Sequence, residues 1–180
     1  IPVMQIADHL INGSGLCDRL RSTTPSGGTL IEDLVQTIVE LRDGPKQEYP
    51  LDILLHPDHL DGCEQACYRC ILRYGNQSYH GLLDWRLGLV YLRILADATY
   101  TAGLDGAFDK PGMHDWKPLV DKTIRRACHL VPSAKPAHFG TDPDRKLSAI
   151  RFERDQPWGL VVHPFWDTER PTGILAEAIA

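Results

Sequence analysis

Between His56 and Asp84 the chain reads HPDHLDGCEQACYRCILRYGNQSYHGLLD. Three of the protein's five cysteines, Cys63, Cys67 and Cys70, fall within eight residues there, flanked by His56, His59, Asp61 and His80. Thiolates beside imidazoles are the donor set of a tetrahedral zinc ion. The same spacing, i, i+4 and i+7, also describes a small apolar stripe on one helix. Geometry separates the two. On a straight helix Cys63 and Cys70 would stand about 10 Å apart along the axis, whereas two sulfurs on one zinc lie no more than about 4 Å apart. A zinc site therefore requires the chain to bend between Cys63 and Cys67, with Cys67-x-x-Cys70 as the tight knuckle. The odd cysteine count argues against a disulfide framework.

Sequence leaves the fourth ligand open. His59 is the first choice, because His-x3-Cys brings an imidazole one short loop before Cys63. Cys17, distant in sequence, is the alternative. His80 lies beyond an apolar turn and is expected to support the site by hydrogen bonding.

The run Cys63–Glu64–Gln65–Ala66–Cys67–Tyr68–Arg69–Cys70 continues with Arg73–Tyr74–Gly75–Asn76–Gln77, His80 and Leu83–Asp84–Trp85–Arg86–Leu87. It resembles the cysteine-containing C-terminal domain of MrfA-like DEAD/DEAH-box DNA helicases, a domain also found in DISARM anti-phage proteins. The stretch DHLINGSGLC, Asp8 to Cys17, is similar to the Asp…Gly-x-Gly element that precedes the cysteines in that family. The resemblance spans roughly residues 6–98. Better-known members carry four cysteines as Cys-x-Cys-x3-Cys-x2-Cys. Here Asp61 takes the first of those positions, so the resemblance supplies three thiolates and no fourth. It implies a zinc-binding accessory domain of a helicase-type machine in DNA repair or anti-phage defence. The motor would then lie elsewhere in a longer chain or on a partner subunit, with single-stranded DNA as a further partner.

Composition is that of a soluble globular domain, 43% hydrophobic and 24% charged. No run approaches the ~18 apolar residues of a membrane span, and a cytoplasmic location, as a fragment of something longer, is expected. The formal net charge of −5, from 19 basic and 24 acidic residues, argues against a broad electrostatic platform for phosphate backbone. Any nucleic-acid contact is expected to be local, with Arg69, Arg73 and Tyr68 as its candidates.

The elements that must position these residues follow from patterning. Residues 3–11 read as a buried strand ending in the turn Asn12–Gly13–Ser14–Gly15, with a helix from Leu16 toward Ser22. Thr29 and Glu32 form a capping box for a helix to about Arg42. Leu51–Leu55 suggests a short strand. A long helix is expected from Leu82 to about Thr101, with Leu83, Leu87, Val90, Ile94 and Leu95 on its buried side and Arg86 and Arg93 off that stripe. Residues 103–114 are rich in turn formers and divide a zinc-containing region, 1–102, from an extension, 103–180, packed on it. Asp115 starts a helix to about Val131, with Leu119, Val120, Ile124, Ala127 and Cys128 facing inward. Residues 132–146 read as an exposed loop, 147–153 and 158–163 as a hairpin, and the end of the chain as a helix. The fold expected is α/β (mixed α+β): a small mixed sheet, several helices and one zinc knuckle.

Chemistry that the sequence lacks narrows the function. There is no G-x-x-x-x-G-K-[ST] phosphate loop, no G-x-S-x-G elbow and no H-E-x-x-H motif. His80, Asp84 and Asp8 would be the groups of a metal-dependent nuclease or hydrolase, the alternative reading, with a zinc-stapled protein-interaction module as a third. Without a second carboxylate pair, Asn76, His80, Asp84 and Arg86 are expected to brace the zinc loop against the long helix and to do no chemistry.

Overall fold

The computed structural model of the 180-residue chain describes residues 6–7, 13–40, 50–140, 146–152 and 158–180. The strand expected over 3–11 and the end of the helix expected to reach Arg42 lie largely outside these residues.

Short helices build the first half. Helix α1 (Leu16–Leu20) follows Gly15, whose φ of 72° is left-handed. Helix α2 (Leu30–Val39) begins where Thr29 donates its N–H and its hydroxyl to Glu32 Oε2, at 2.7 and 2.9 Å. Residues Pro50–Leu54 form helix α3, not a strand. Pro50 suits the first helical position. Leu51, Leu54 and Leu55 share one helical face, which packs on the cysteine region with Leu51 fully buried. Helix α4 (Pro57–Gly62) is capped by His56, whose Nδ1 accepts the Asp58 N–H at 3.3 Å.

Helix α5 (Trp85–Ala96) is shorter than its apolar pattern suggests. Asp84 fixes its start by accepting the Arg86 and Leu87 N–H groups, so Leu82 and Leu83 fall outside it. Its buried residues are Trp85, Leu89, Val90 and Arg93. The inward face is thus rotated from the expected stripe, and Leu95 is exposed. Arg93 turns inward because its Nη1 donates to Pro111 O across the helix, while its aliphatic stem fills apolar space.

Helix α6 (Trp116–Leu130) buries Val120 and Ile124 and leaves Leu119 exposed. The sheet has the order β1 (Lys135–Phe139), β2 (Leu147–Arg151), β3 (Gly159–Leu160), antiparallel throughout the described residues where a mixed sheet was expected. Strand β1 occupies the expected loop. It is an edge strand, where Pro136 is tolerated, and its short alternation half-buries only Ala137 and Phe139. Helix α7 (Gly173–Ile179) closes the chain, with Leu175 fully buried.

Two cores result. One gathers Leu51, Cys63, Trp85 and Leu89; the other gathers Val90, Ala102, Met113, Leu147, Trp166 and Leu175. Helix α5 contributes to both, and residues on either side of 102–103 share the second. At that junction Gly103 (φ +89°) has no room for a side chain: a Cβ would sit 2.6 Å from the Phe108 ring. No helix among the described residues is long and apolar enough to cross a membrane.

Candidate metal centre

The chain bends where a shared ion would require it. Helix α4 carries His59 and ends at Gly62, and Cys63 already has extended backbone (φ −130°, ψ 98°). The chain then turns back on itself, so that Cys70 N–H and Leu72 N–H both donate to Cys67 O, at 3.1 and 3.0 Å. One ligand atom from each of His59, Cys63, Cys67 and Cys70 lies within 4.8 Å of the other three. Cys63 Sγ and Cys70 Sγ are 3.9 Å apart, close to the roughly 3.8 Å between sulfurs on a tetrahedral ion with 2.3 Å bonds. Four donors at this separation are near enough to coordinate one metal ion.

The histidine is prepared for that role. Its Nδ1 lies 2.8 Å from Leu54 O. A carbonyl only accepts, so Nδ1 carries the proton and the Nε2 lone pair is free. Nε2 is buried with no hydrogen-bond partner among the described residues, an arrangement that is costly unless something takes the lone pair. A metal ion beside three sulfurs would do so, with Leu54 O holding the ring's tautomer and direction. Trp85 braces the ring edge-on at 5.8 Å.

Cys63 is buried, and burial, helped by the Cys67 and Cys70 sulfurs beside it, pushes its thiol up to about 12. For Cys67 burial also acts upward, but the N–H groups of Arg69 and Cys70 outweigh it and draw the thiol below its ordinary value. The Cys67 N–H donates in turn to Cys70 Sγ at 3.1 Å. Without a cation burial thus keeps Cys63 a thiol, while Cys67 is drawn toward the thiolate. A divalent ion would draw Cys63 to the thiolate as well and release protons as it bound.

Cys17 is not in this group. It sits on α1 with its Sγ 3.6 Å from Ile6 O, and the group that lies together among the described residues has His59, not Cys17, as its fourth member. Asp61 is also outside the group, as is His56, which caps α4. Cys128 is half-buried on α6.

The polar residues after the knuckle pin backbone. Asn76 Oδ1 accepts the Arg73 N–H at 2.8 Å, and its Nδ2 donates to Ile71 O at 3.0 Å. His80 Nε2 lies 3.0 Å from Asn76 Oδ1 and 3.1 Å from Arg73 O, which makes Nε2 the donor to these two acceptors. Asp84 caps α5. Arg86 donates to Glu64 O and, at 2.8 Å, to Asp115 Oδ2 at the start of α6. Together with Trp85 N–H on Gln65 O at 3.0 Å, this clamps the loop between the first two cysteines onto α5. The His80 and Asp84 groups of the hydrolase reading are thus engaged in local structure, and Asp8 lies outside the described residues.

Arg69, Arg73 and Tyr68 lie exposed on the outer side of the turn. Sequence reasoning did not single out Trp85 or Leu54 O as part of the centre. A tryptophan one residue after a helix cap was a signal for the first; a backbone carbonyl has none. No protein-family model, curated protein or solved structure matches this chain.

Proposed function

We propose that residues 56–86 form a structural zinc centre and that these 180 residues serve as an accessory module of a helicase-type nucleic-acid-processing machine, with the motor elsewhere in a longer chain or on a partner subunit. The observation that carries the metal reading is the buried, unpartnered His59 Nε2 beside three cysteine sulfurs. Three soft thiolates and one imidazole favour zinc over harder cations. Four protein donors close a tetrahedron and leave no position for a reacting water, so the role is to hold structure. The accessory role draws its support from the family-like run described above and from the lack of a phosphate loop in the sequence.

Two measurements test the two parts. Elemental analysis of protein purified without chelator should give one zinc per chain; no bound metal would remove the centre. Unwinding and ATPase rates are then compared for the motor-containing protein or complex with and without residues 1–180. Unwinding should fall more than basal ATPase, and equal unwinding in both would remove the helicase-accessory role.

A further inference from the structure

Past the last cysteine the chain displays aromatic rings outward. Tyr68 is 63% exposed, Tyr74 85% and Tyr79 59%. These are three of the protein's six tyrosines, and they stand within twelve residues. Rings of that size are usually at least partly sheltered, and here three on one short segment are left open to an outside partner. Residues 65–83 contain Arg69, Arg73 and His80 and no acid, in a protein of net charge −5.

The arginines are placed, not loose. Arg69 Nη1 donates to Asp58 O at 3.3 Å, and Arg73 Nη1 to Tyr68 O and Leu72 O at 3.4 and 2.6 Å. Neither has a carboxylate partner among the described ion pairs, so both keep their charge available to an outside anion. The backbone beneath is held by Asn76 and His80, and the His80 ring meets Tyr68 edge-on at 5.7 Å. Rings on a fixed backbone lose little conformational entropy when something stacks on them.

Resting on the accessory-module reading above, we infer that Tyr68, Tyr74 and Tyr79, with Arg69 and Arg73, form a stacking face for single-stranded nucleic acid. Exposed aromatic rings offer a surface for unpaired bases of any sequence, and the two guanidiniums take the phosphates between them. A duplex hides its base faces and offers the rings nothing to stack on. An acidic protein partner would use the arginines but has no need of three rings.

The test is fluorescence anisotropy of labelled oligothymidylate and a same-length duplex, titrated with the zinc-loaded 180-residue chain. Single-strand binding is expected at low salt, weakening between about 50 and 200 mM, with the duplex bound much less. Tyr74→Ala and Tyr79→Ala should each weaken it roughly 5- to 100-fold, while Tyr74→Phe and Tyr79→Phe retain it. Arg69→Ala and Arg73→Ala should each reduce the slope of log affinity against log salt by about 0.7. The Tyr74 and Tyr79 side chains are exposed, so melting temperature and zinc content should not change in the tyrosine variants. Absence of single-strand binding, equal binding of the duplex, or indifference to the tyrosine substitutions would each overturn the stacking face. Loss of a protein partner on Tyr74→Ala, with no oligonucleotide bound, would overturn it in favour of a protein interface. Any of these results with one zinc still bound leaves the structural metal centre standing.

Discussion

Two facts meet at His59: its Nδ1 proton is committed to Leu54 O, and its buried Nε2 has no hydrogen-bond partner among the described residues. His59→Ala should therefore lower zinc affinity by more than about 100-fold, beyond the range typical of a ligand's supporting partners. His59→Cys should restore one zinc per chain as a four-thiolate site. Competition with a chromophoric chelator reads both, and unchanged affinity in His59→Ala would place the fourth donor elsewhere. His163 is another histidine whose state the fold dictates. It lies against Trp116, with ring centroids 4.7 Å apart, and its Nδ1 accepts the Phe165 N–H at 3.2 Å. Burial holds its pKa down to about 4, well below an unfolded value of about 6.5. As pH falls through that window the unfolded chain takes up a proton that the folded chain refuses. Stability should then drop by up to about 1.4 kcal/mol per pH unit, and the contribution is complete at neutral pH. His163→Asn keeps an acceptor and removes the titration. Denaturant melts from pH 7 to about 4 should thus be less pH-dependent in the variant by up to that slope; identical pH dependence would show that His163 is not the group responsible.

The start of α5 is set by one side chain. Asp84 Oδ1 accepts the Arg86 N–H at 2.8 Å and the Leu87 N–H at 3.4 Å, so Asp84→Ala should cost about 1 kcal/mol, as loss of a helix cap usually does. Asp84→Ser should recover most of it. A variant with unchanged stability and an abolished hydrolytic activity would return Asp84 to the nuclease reading. The same residue explains what was legible in the sequence. The bend after Cys63 followed from ligand geometry alone, and Thr29 with Glu32 announced α2 through a local hydrogen-bond pattern. The length of α5 was not legible, because its apolar residues extend in both directions past the points where Asp84 and Asp97 stop it. Strand β1 was not legible either: in Lys135–Phe139 only Ala137 and Phe139 mark an alternation, too short a signal to tell from a loop, and pairing with β2 defines the strand. Helix α3 was mistaken for a strand since a five-residue apolar run has no resolvable period. The choice of His59 over Cys17 rested on sequence proximity, whereas what qualifies His59 is the position of Leu54 O.

Across the whole molecule the metal centre and the second core are tied together through α5. Cys63, Leu51 and Trp85 pack with Leu89 on one side of that helix, while Val90 packs with Met113, Trp166 and Leu175 on the other. Arg86 adds a polar tie, joining Glu64 in the cysteine loop to Asp115 at the head of α6. With a zinc bound as proposed, its removal would leave three sulfurs and an unpartnered imidazole crowded together, and repulsion among them would push α4 and the knuckle away from Trp85. Because Trp85 sits at the first turn of α5, its core loses packing when they move. Chelation at neutral pH should therefore lower the melting temperature by about 10 °C or more, corresponding to at least about 3 kcal/mol in a domain of this size. It should also change tryptophan emission as Trp85 becomes wet. Cys67→Ser should behave like the chelated protein and gain nothing from added zinc. Calorimetry with and without chelator, alongside emission spectra of the wild type and of Trp85→Phe, separates this from a general loosening: the spectral change should vanish in Trp85→Phe while the thermal shift remains. A chelated protein that melts at the same temperature as the zinc-loaded one would show that the two cores hold the fold unaided and that the cysteines serve something other than structure.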